Sequence, residues 1–425
     1  MKLKYFSLFC ALFISSAIVA QDFDTYFTNQ TLRIDYQFAG YRKPDIKIGE
    51  QTHKVSEQTI YLQNLYRVPG WAGRRNRLSE LPLDGNYQLT VMNAATGTVI
   101  YRYSFSTLFS EWLDTDEATR LQRAFSNTFL IPYPKEMAVV TVSARTRQGT
   151  YEPKITHFVD PADILIRPIG ERNVTPHEVI MQSGPVDKCI DIAFVAEGYQ
   201  EHEMDTFVAD AKRCMESILA HEPFTSMKAR FNVIAVKSVS KESGVSIPRD
   251  NDWKQNLFGS HFDTFYSQRY LTSSDIHGIN DQLAGLPYEQ IIVLGNSSIY
   301  GGGGVYNSFT IADAHNEQTL PVVVHEFGHT FGGLGDEYGY DDDMKDFYPR
   351  DVEPWEQNIT TKVNFASKWE DMYNAGQAEL HEGAGYTTTG VFRPMADCRM
   401  RSNAGKVFCP VCQRALQHMI DFYTR

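Results

Sequence analysis

The first third of the chain alternates apolar and polar positions in short runs separated by turn formers. Tyr87–Met92 and Val99–Phe105 flank Asn93-Ala-Ala-Thr-Gly97, an arrangement that predicts a β-hairpin. Phe129–Ile131, Ala138–Ala144 and Ile164–Ile166 extend the strand pattern, and a patch with helical spacing interrupts it near Thr115–Phe125. Half-buried strands favour aromatic side chains, in keeping with a content of 13% Phe, Trp and Tyr.

Beyond Pro161–His177, a segment carrying Pro168, Gly170 and Pro176, the period changes. Cys189–Ala196 (CIDIAFVA) is almost continuously apolar, as in a strand buried on both faces. Glu201–His221 has helical spacing. Phe231–Val239 reads as a second buried strand, Ser260–Tyr270 as a helix and Gln290–Leu294 (QIIVL) as a third strand. Strands alternating with helices imply a mostly parallel sheet flanked by helices. The chain thus divides into a leader (1–20), an immunoglobulin-like β-sandwich (21–165) and an αβ domain (166–425).

The leader is read from its charge and hydropathy. Lys2 and Lys4 precede an apolar run from Tyr5 to Val19, with Ala20 before Gln21. This is the layout of a secretory signal peptide, and it implies export to the periplasm, the cell surface or the medium. Cys10 sits mid-run without the small neighbours of a lipidation site. No later segment holds about 18 consecutive apolar residues, so no transmembrane anchor is expected in the mature form. Hydrophobic residues at 42% and charged ones at 22% exclude a mostly disordered chain. A formal net charge of −12, more acidic still without Lys2 and Lys4, argues against nucleic acid and anionic lipid as partners.

The chemistry concentrates in Pro321–Tyr340, PVVVHEFGHTFGGLGDEYGY. His325 and His329 are four residues apart and so share one face of a helix. They can present imidazole nitrogens to one zinc ion that keeps an open position for water. Glu326, beside the first ligand, is placed to act as general base on that water. Val322–Val324 supply the apolar face of a buried helix, and Gly332 and Gly333 end it. The chain can then swing back to supply a third ligand, with Asp336 the first choice and Glu337 the second. The plainer alternative is a helix with two solvated or core histidines.

A glycine three residues after the second histidine matches the metzincin patterns HExxHxxGxxH and HExxHxxGxxD through Gly332. Gly335 then stands where the third ligand would be, and the acid follows at Asp336. HEFGHTFGGLGDEY resembles the signature of the immunoglobulin A metallopeptidase family of secreted bacterial zinc peptidases. Ile192–Tyr199 (IAFVAEGY), Glu222–Phe224, Phe231–Val236 (FNVIAV), Ser243–Gly244, Tyr300–Asn307 (YGGGGVYN) and Cys398–Cys412 (CRMRSNAGKVFCPVC) are similar to other segments of that family. The region before residue 165 is similar to its accessory N-terminal domain. The resemblance implies a metzincin-like catalytic domain, one catalytic zinc and proteolysis. It also implies a Met-turn beneath the zinc. Met395 and Met400 are candidates, and Met400 within Cys398-Arg-Met fits the resemblance better.

Other features leave alternatives open. Tyr300–Tyr306 lacks the ending of a phosphate loop. Its glycines allow another backbone to approach, so Val305–Ile311 is either an edge strand that pairs with substrate or part of a tight surface loop. Cys398 forms a disulfide with Cys409 or Cys412 in an exported protein, or the three form a structural zinc site with His418. Cys189 and Cys214 either bridge or stay buried as thiols. Asp341, Asp342, Asp343 and Asp346 are acidic enough for calcium but lack EF-hand spacing, so they read as a solvated loop. Tyr338, Tyr340 and Tyr386 are candidate oxyanion partners, and His202, His221 and His381 read as surface residues.

Together these features read as a secreted zinc endopeptidase acting on protein or peptide substrates, host and extracellular proteins among them. One alternative is an exported glycan- or protein-binding protein with a vestigial metal domain, against which the intact Glu326 argues. Another is a metal-dependent amidase acting on non-peptide substrates. An exposed edge strand beside the site favours extended peptides, and a closed pocket favours small amides.

Overall fold

The computed structural model describes residues 22–48, 51–340 and 347–425. The leader and the acidic run Asp341–Asp343 with Asp346 lie outside the described residues. The N-terminal part holds strands β1 (Phe27–Arg42), β2 (Ser56–Pro69), β3 (Tyr87–Asn93), β4 (Val99–Phe105), β5 (Arg123–Pro134), β6 (Ala138–Arg145) and β7 (Tyr151–Val159). They form two sheets. One has the order β2-β1-β5, with a short piece at Arg167–Pro168 on its β2 edge, and the other the order β4-β3-β6-β7. All pairings among β1–β7 are antiparallel.

The β3–β4 hairpin forms where the alternation predicts it, with Leu89 opposite Tyr103. The Asn93 side chain holds the turn by accepting from the amides of Ala95 and Thr96, both at 3.0 Å. Gly97 takes a left-handed φ of +69° there, which costs a residue without Cβ little. Aromatic rings fill the space between the sheets. Phe105 of one sheet and Phe129 of the other lie 4.2 Å apart, and Phe38 meets Tyr87 edge-on at 5.3 Å.

Two expectations for this region are corrected. The helix is Leu108–Leu113 (α1), upstream of Thr115–Phe125, because Thr107 caps it by accepting from the Ser110 amide at 3.0 Å. Phe125 instead belongs to β5. Ile164–Ile166 is not a strand. Asp163 accepts from the Leu165 amide and closes a turn that leaves Ile164 94% exposed.

The C-terminal part is built on a six-stranded sheet. Its strands are β8 (His177–Met181), β9 (Ile190–Glu197), β10 (Phe231–Val236), β11 (Gln290–Gly295), β12 (Gly302–Val305) and β13 (Phe309–Asp313). The order is β8-β10-β9-β11-β13-β12. The inner four strands are parallel and the two edges antiparallel. Every residue of β9, β10 and β11 is buried, in keeping with their mostly apolar sequences; the polar exceptions are Asp191, Glu197, Asn232 and Gln290. On one face pack α2 (Met204–Leu219), α4 (Thr319–Gly332) and α5 (Pro410–Thr424). The other face is covered by α3 (Ile276–Gln282) and the loop carrying Phe258 and Phe262.

Here too the expectations shift. Ser260–Tyr270 is not a helix beyond one short turn at Thr264–Tyr266, because Asp263, Phe265 and Tyr266 adopt positive φ. The helix lies downstream at α3, where Asp275 accepts from the Gly278 amide at 2.9 Å. The strand from Phe231 ends at Val236, and Val239 is exposed.

The two parts are docked through polar contacts. The Asn307 amide donates to the Ser104 carbonyl and the Tyr103 hydroxyl to the Asn307 carbonyl, both at 2.8 Å. Trp355 donates to Asn86 at 2.9 Å. Among the described residues, no helix is long and apolar enough to cross a membrane.

Candidate active site

Helix α4 sets the site. Val322, Val323, Val324, Phe327 and Phe331 anchor it in the core and leave His325, Glu326 and His329 half-buried on the other side. The helix stops at Gly333, which takes φ +56° while its amide donates to the His329 carbonyl at 2.9 Å. The chain then folds back. Asn358 clamps the Gly335 peptide from both sides, accepting from its amide at 2.7 Å and donating to its carbonyl at 2.8 Å. A Cβ on Gly335 would meet Ile359 at 2.8 Å, so packing keeps bare the position where the metzincin patterns place a third ligand.

The next residue, Asp336, faces both histidines. Its Oδ1 lies 3.0 Å from His325 Nε2 and 3.3 Å from His329 Nε2, and the two Nε2 atoms are 3.0 Å apart. Each ring is oriented from behind. His325 Nδ1 donates to the Arg399 carbonyl at 3.0 Å and His329 Nδ1 to the Leu334 carbonyl at 2.6 Å. Each Nδ1 thus carries a proton, and the two Nε2 atoms and the Asp336 oxygen, the atoms able to bind a metal, face one another. Tetrahedral zinc bound at about 2.0–2.1 Å would space three such ligands about 3.3 Å apart, so these residues fit the ion. Protonation shows the same pull on positive charge. Burial pulls the His329 imidazole down, but the Asp336 carboxylate outweighs it and holds it up to about 10. Tyr386 donates to the other Asp336 oxygen at 2.5 Å, which orients the carboxylate.

Glu326 sits on the same helix at the floor of a cleft of about 1170 Å³. Burial pushes its carboxyl above the usual range, against the pull of His325 and His329. The tetraglycine run forms one wall. Its last three glycines lie in the edge strand β12, and the expected strand Val305–Ile311 is instead split: Tyr306–Ser308 is a tight turn, closed by the Ser308 amide on the Val305 carbonyl at 2.9 Å, and Phe309–Ile311 belongs to β13. The free edge is partly covered, since Gly302 exchanges backbone hydrogen bonds with Arg269 and Leu271.

Residues without a local sequence signal complete the cleft. Glu111 comes from the N-terminal part and hydrogen-bonds the Tyr270 hydroxyl. Burial pushes the Glu111 carboxyl up to about 7. Arg269 lies over the rings of Tyr338 and Tyr340, and Tyr338 stacks on His325 at 6.3 Å.

Met400 is fully buried, and a Cβ on Gly328 would lie 2.7 Å from its Sδ. It therefore packs directly beneath the helix that carries the histidines. Met395 is only partly buried at the core's edge. Glu337 points away from the histidines. Its Oε1 lies 3.1 Å from Cys412 Sγ and 4.0 Å from Cys409 Sγ. The expected disulfide is absent. Cys398, Cys409 and Cys412 are free thiols, with Cys398 Sγ 3.8 Å from Cys412 Sγ. The carboxylate beside them belongs to Glu337, and His418 packs on Phe422 instead. Cys189 and Cys214 are buried free thiols. His221 is half-buried, with its ring packed against Phe408 at 5.8 Å.

No curated protein matches the chain. A family model described as IgA Peptidase M64 matches residues 179–379 and 374–420, and one described as Peptidase M64 N-terminus matches residues 22–156. Together they span nearly all the described residues, on both sides of the cleft. The chain belongs to the IgA peptidase M64 family and is a metallopeptidase.

Proposed function

We propose that the protein is an exported, metzincin-like zinc endopeptidase acting on protein or peptide chains. The observation that carries this reading is the convergence of His325 Nε2, His329 Nε2 and Asp336 Oδ1 on one point, with Glu326 beside them. These three residues would hold the ion, and Met400 supports the helix from below. When bound there, zinc lowers the pKa of water and polarises a scissile carbonyl. A Glu326 carboxylate oxygen takes the proton from the attacking water and delivers it to the leaving amine nitrogen. Its raised pKa suits a group that must hold that proton between the two transfers. The part of the β12 edge that Arg269 and Leu271 do not cover offers backbone groups to an extended substrate. A cleft of about 1170 Å³ is larger than the 300–1,000 Å³ typical of small-molecule pockets. The leader at 1–20 directs export to the periplasm, cell surface or medium.

The test is cleavage of a proteome-derived peptide library, read by mass spectrometry, for wild type and Glu326→Gln. The variant is expected to retain zinc and lose roughly 10²–10⁴-fold in rate. Cleavage by the variant at a comparable rate would remove Glu326 from this role. A zinc-loaded wild type that cuts no peptide would favour the amidase or binding-protein reading.

A further inference from the structure

Glu337 is fully buried and its Oε2 has no hydrogen-bond partner among the described residues. A carboxylate in that position is costly unless a cation meets it. Around it stand three cysteines from two separate segments, all buried, and the four ligand atoms lie within 4.8 Å of one another. Cys398 comes from the loop that precedes Met400. Cys409 caps helix α5 and Cys412 lies in its first turn. The sulfurs accept backbone amides, Cys409 N on Cys398 Sγ at 3.2 Å and Cys412 N on Cys409 Sγ at 3.5 Å. Such bonds and a helix N-terminus both favour thiolate.

The spacing is that of a metal cage. Zinc bound to sulfur at about 2.3 Å in a tetrahedron separates its sulfurs by about 3.8 Å. Cys398 and Cys412 are 3.8 Å apart, and Glu337 Oε1 lies 3.1 and 4.0 Å from Cys412 and Cys409. Asn358 donates to Glu337 Oε1 at 2.9 Å and fixes the carboxylate, as outer partners of metal ligands do.

We propose that Glu337, Cys398, Cys409 and Cys412 form a second, structural site that takes zinc and locks together the segments carrying Asp336 and Met400. The position of the site gives it this role. Glu337 follows Asp336, and its amide donates to the Met400 carbonyl at 2.8 Å. Cys398 precedes Arg399, whose carbonyl orients His325. An ion holding Glu337 and Cys398 ties both segments to the start of α5.

The experiment is native mass spectrometry and metal analysis of the mature chain, purified without reductant or chelator and supplied with Zn²⁺ alone. Wild type is expected to hold two Zn²⁺, and His325→Ala/His329→Ala and Cys412→Ser one each. After denaturation with chelator, all five mature cysteines are expected to alkylate. Should Cys412→Ser fail to fold, Co²⁺ in the histidine variant decides, since thiolate ligation gives near-ultraviolet charge-transfer absorption. A disulfide between any two of Cys398, Cys409 and Cys412, or a folded histidine variant that holds no Zn²⁺, overturns the proposal. A single Zn²⁺ that persists without the histidines supports this site and removes the catalytic one. A single Zn²⁺ lost with them does the reverse.

Discussion

A Cβ on Gly304 would lie 2.3 Å from the backbone carbonyl oxygen of Glu326. The same strand approaches the helix again at Gly302, where a Cβ would sit 2.8 Å from Val322 Cγ1 and 3.0 Å from Glu326 Cγ. The alternate glycines, Gly301 and Gly303, face the opposite way and are also confined. Gly301 abuts the Arg269 carbonyl and Phe262, and Gly303 abuts the Tyr270 ring. Alternation along a strand thus accounts for four consecutive glycines, because β12 is pressed between α4 and the Arg269–Leu271 segment.

Gly304→Ala should push β12 off α4 and shift Glu326. A misplacement of about 1 Å can cost roughly 100-fold in rate, so kcat/KM should fall on that scale while zinc remains bound. Peptide cleavage at the wild-type rate would show that the contact does not set the catalytic geometry.

Tyr386→Phe removes the hydroxyl that holds the second oxygen of Asp336. Loss of such an outer partner typically weakens metal binding by about 10–100-fold. Competition with a chromophoric chelator should show that loss for the zinc held by the histidines. Unchanged affinity would mean that Asp336 is oriented by its backbone alone.

Met400→Ala opens a cavity beneath Gly328. Truncation of a buried methionine should cost about 2–5 kcal/mol, whereas Met400→Leu should cost under about 1.5 kcal/mol. Denaturant unfolding at fixed zinc concentration measures both. Equal and small losses would indicate that the core collapses around the site.

Stability should fall as pH rises through the range in which the buried Asp191 ionises. Burial pushes its carboxyl up to about 7, against the pull of the Asn232 amide. The folded state therefore holds this proton more tightly than the unfolded chain, where the pKa is about 3.9. Its contribution is full below about pH 4 and is lost on the way up to about 7. Asp191→Asn keeps the acceptor for Asn232 at Oδ1 and removes the titration. Unfolding midpoints at pH 5 and pH 7 should differ less in the variant, and an unchanged difference would assign the pH dependence to other groups.

Much of the site was legible because it is local. Residues four apart on a helix share a face, so His325, Glu326 and His329 follow from spacing, and Gly332 and Gly333 announce the helix end that brings Asp336 back. Mostly apolar runs likewise marked β9, β10 and β11, whose burial on both faces leaves no regular polar period. Local signals misled where apolar residues were held outside the core, as at Ile164, or where positive φ broke a helical spacing, as at Phe265.

What the sequence by itself determined is the helix bearing His325, Glu326 and His329, the buried strands and the family. Each rests on residues close along the chain, where backbone geometry alone sets which side chains share a face. Tertiary structure alone decided that Asp336 and Glu337 part company, one toward the histidines and the other toward the cysteines. It also brought Tyr386 to Asp336, Met400 beneath Gly328 and Glu111 into the cleft. These contacts join segments far apart in sequence, and their partners are selected by how sheets and helices pack, which no short-range pattern encodes.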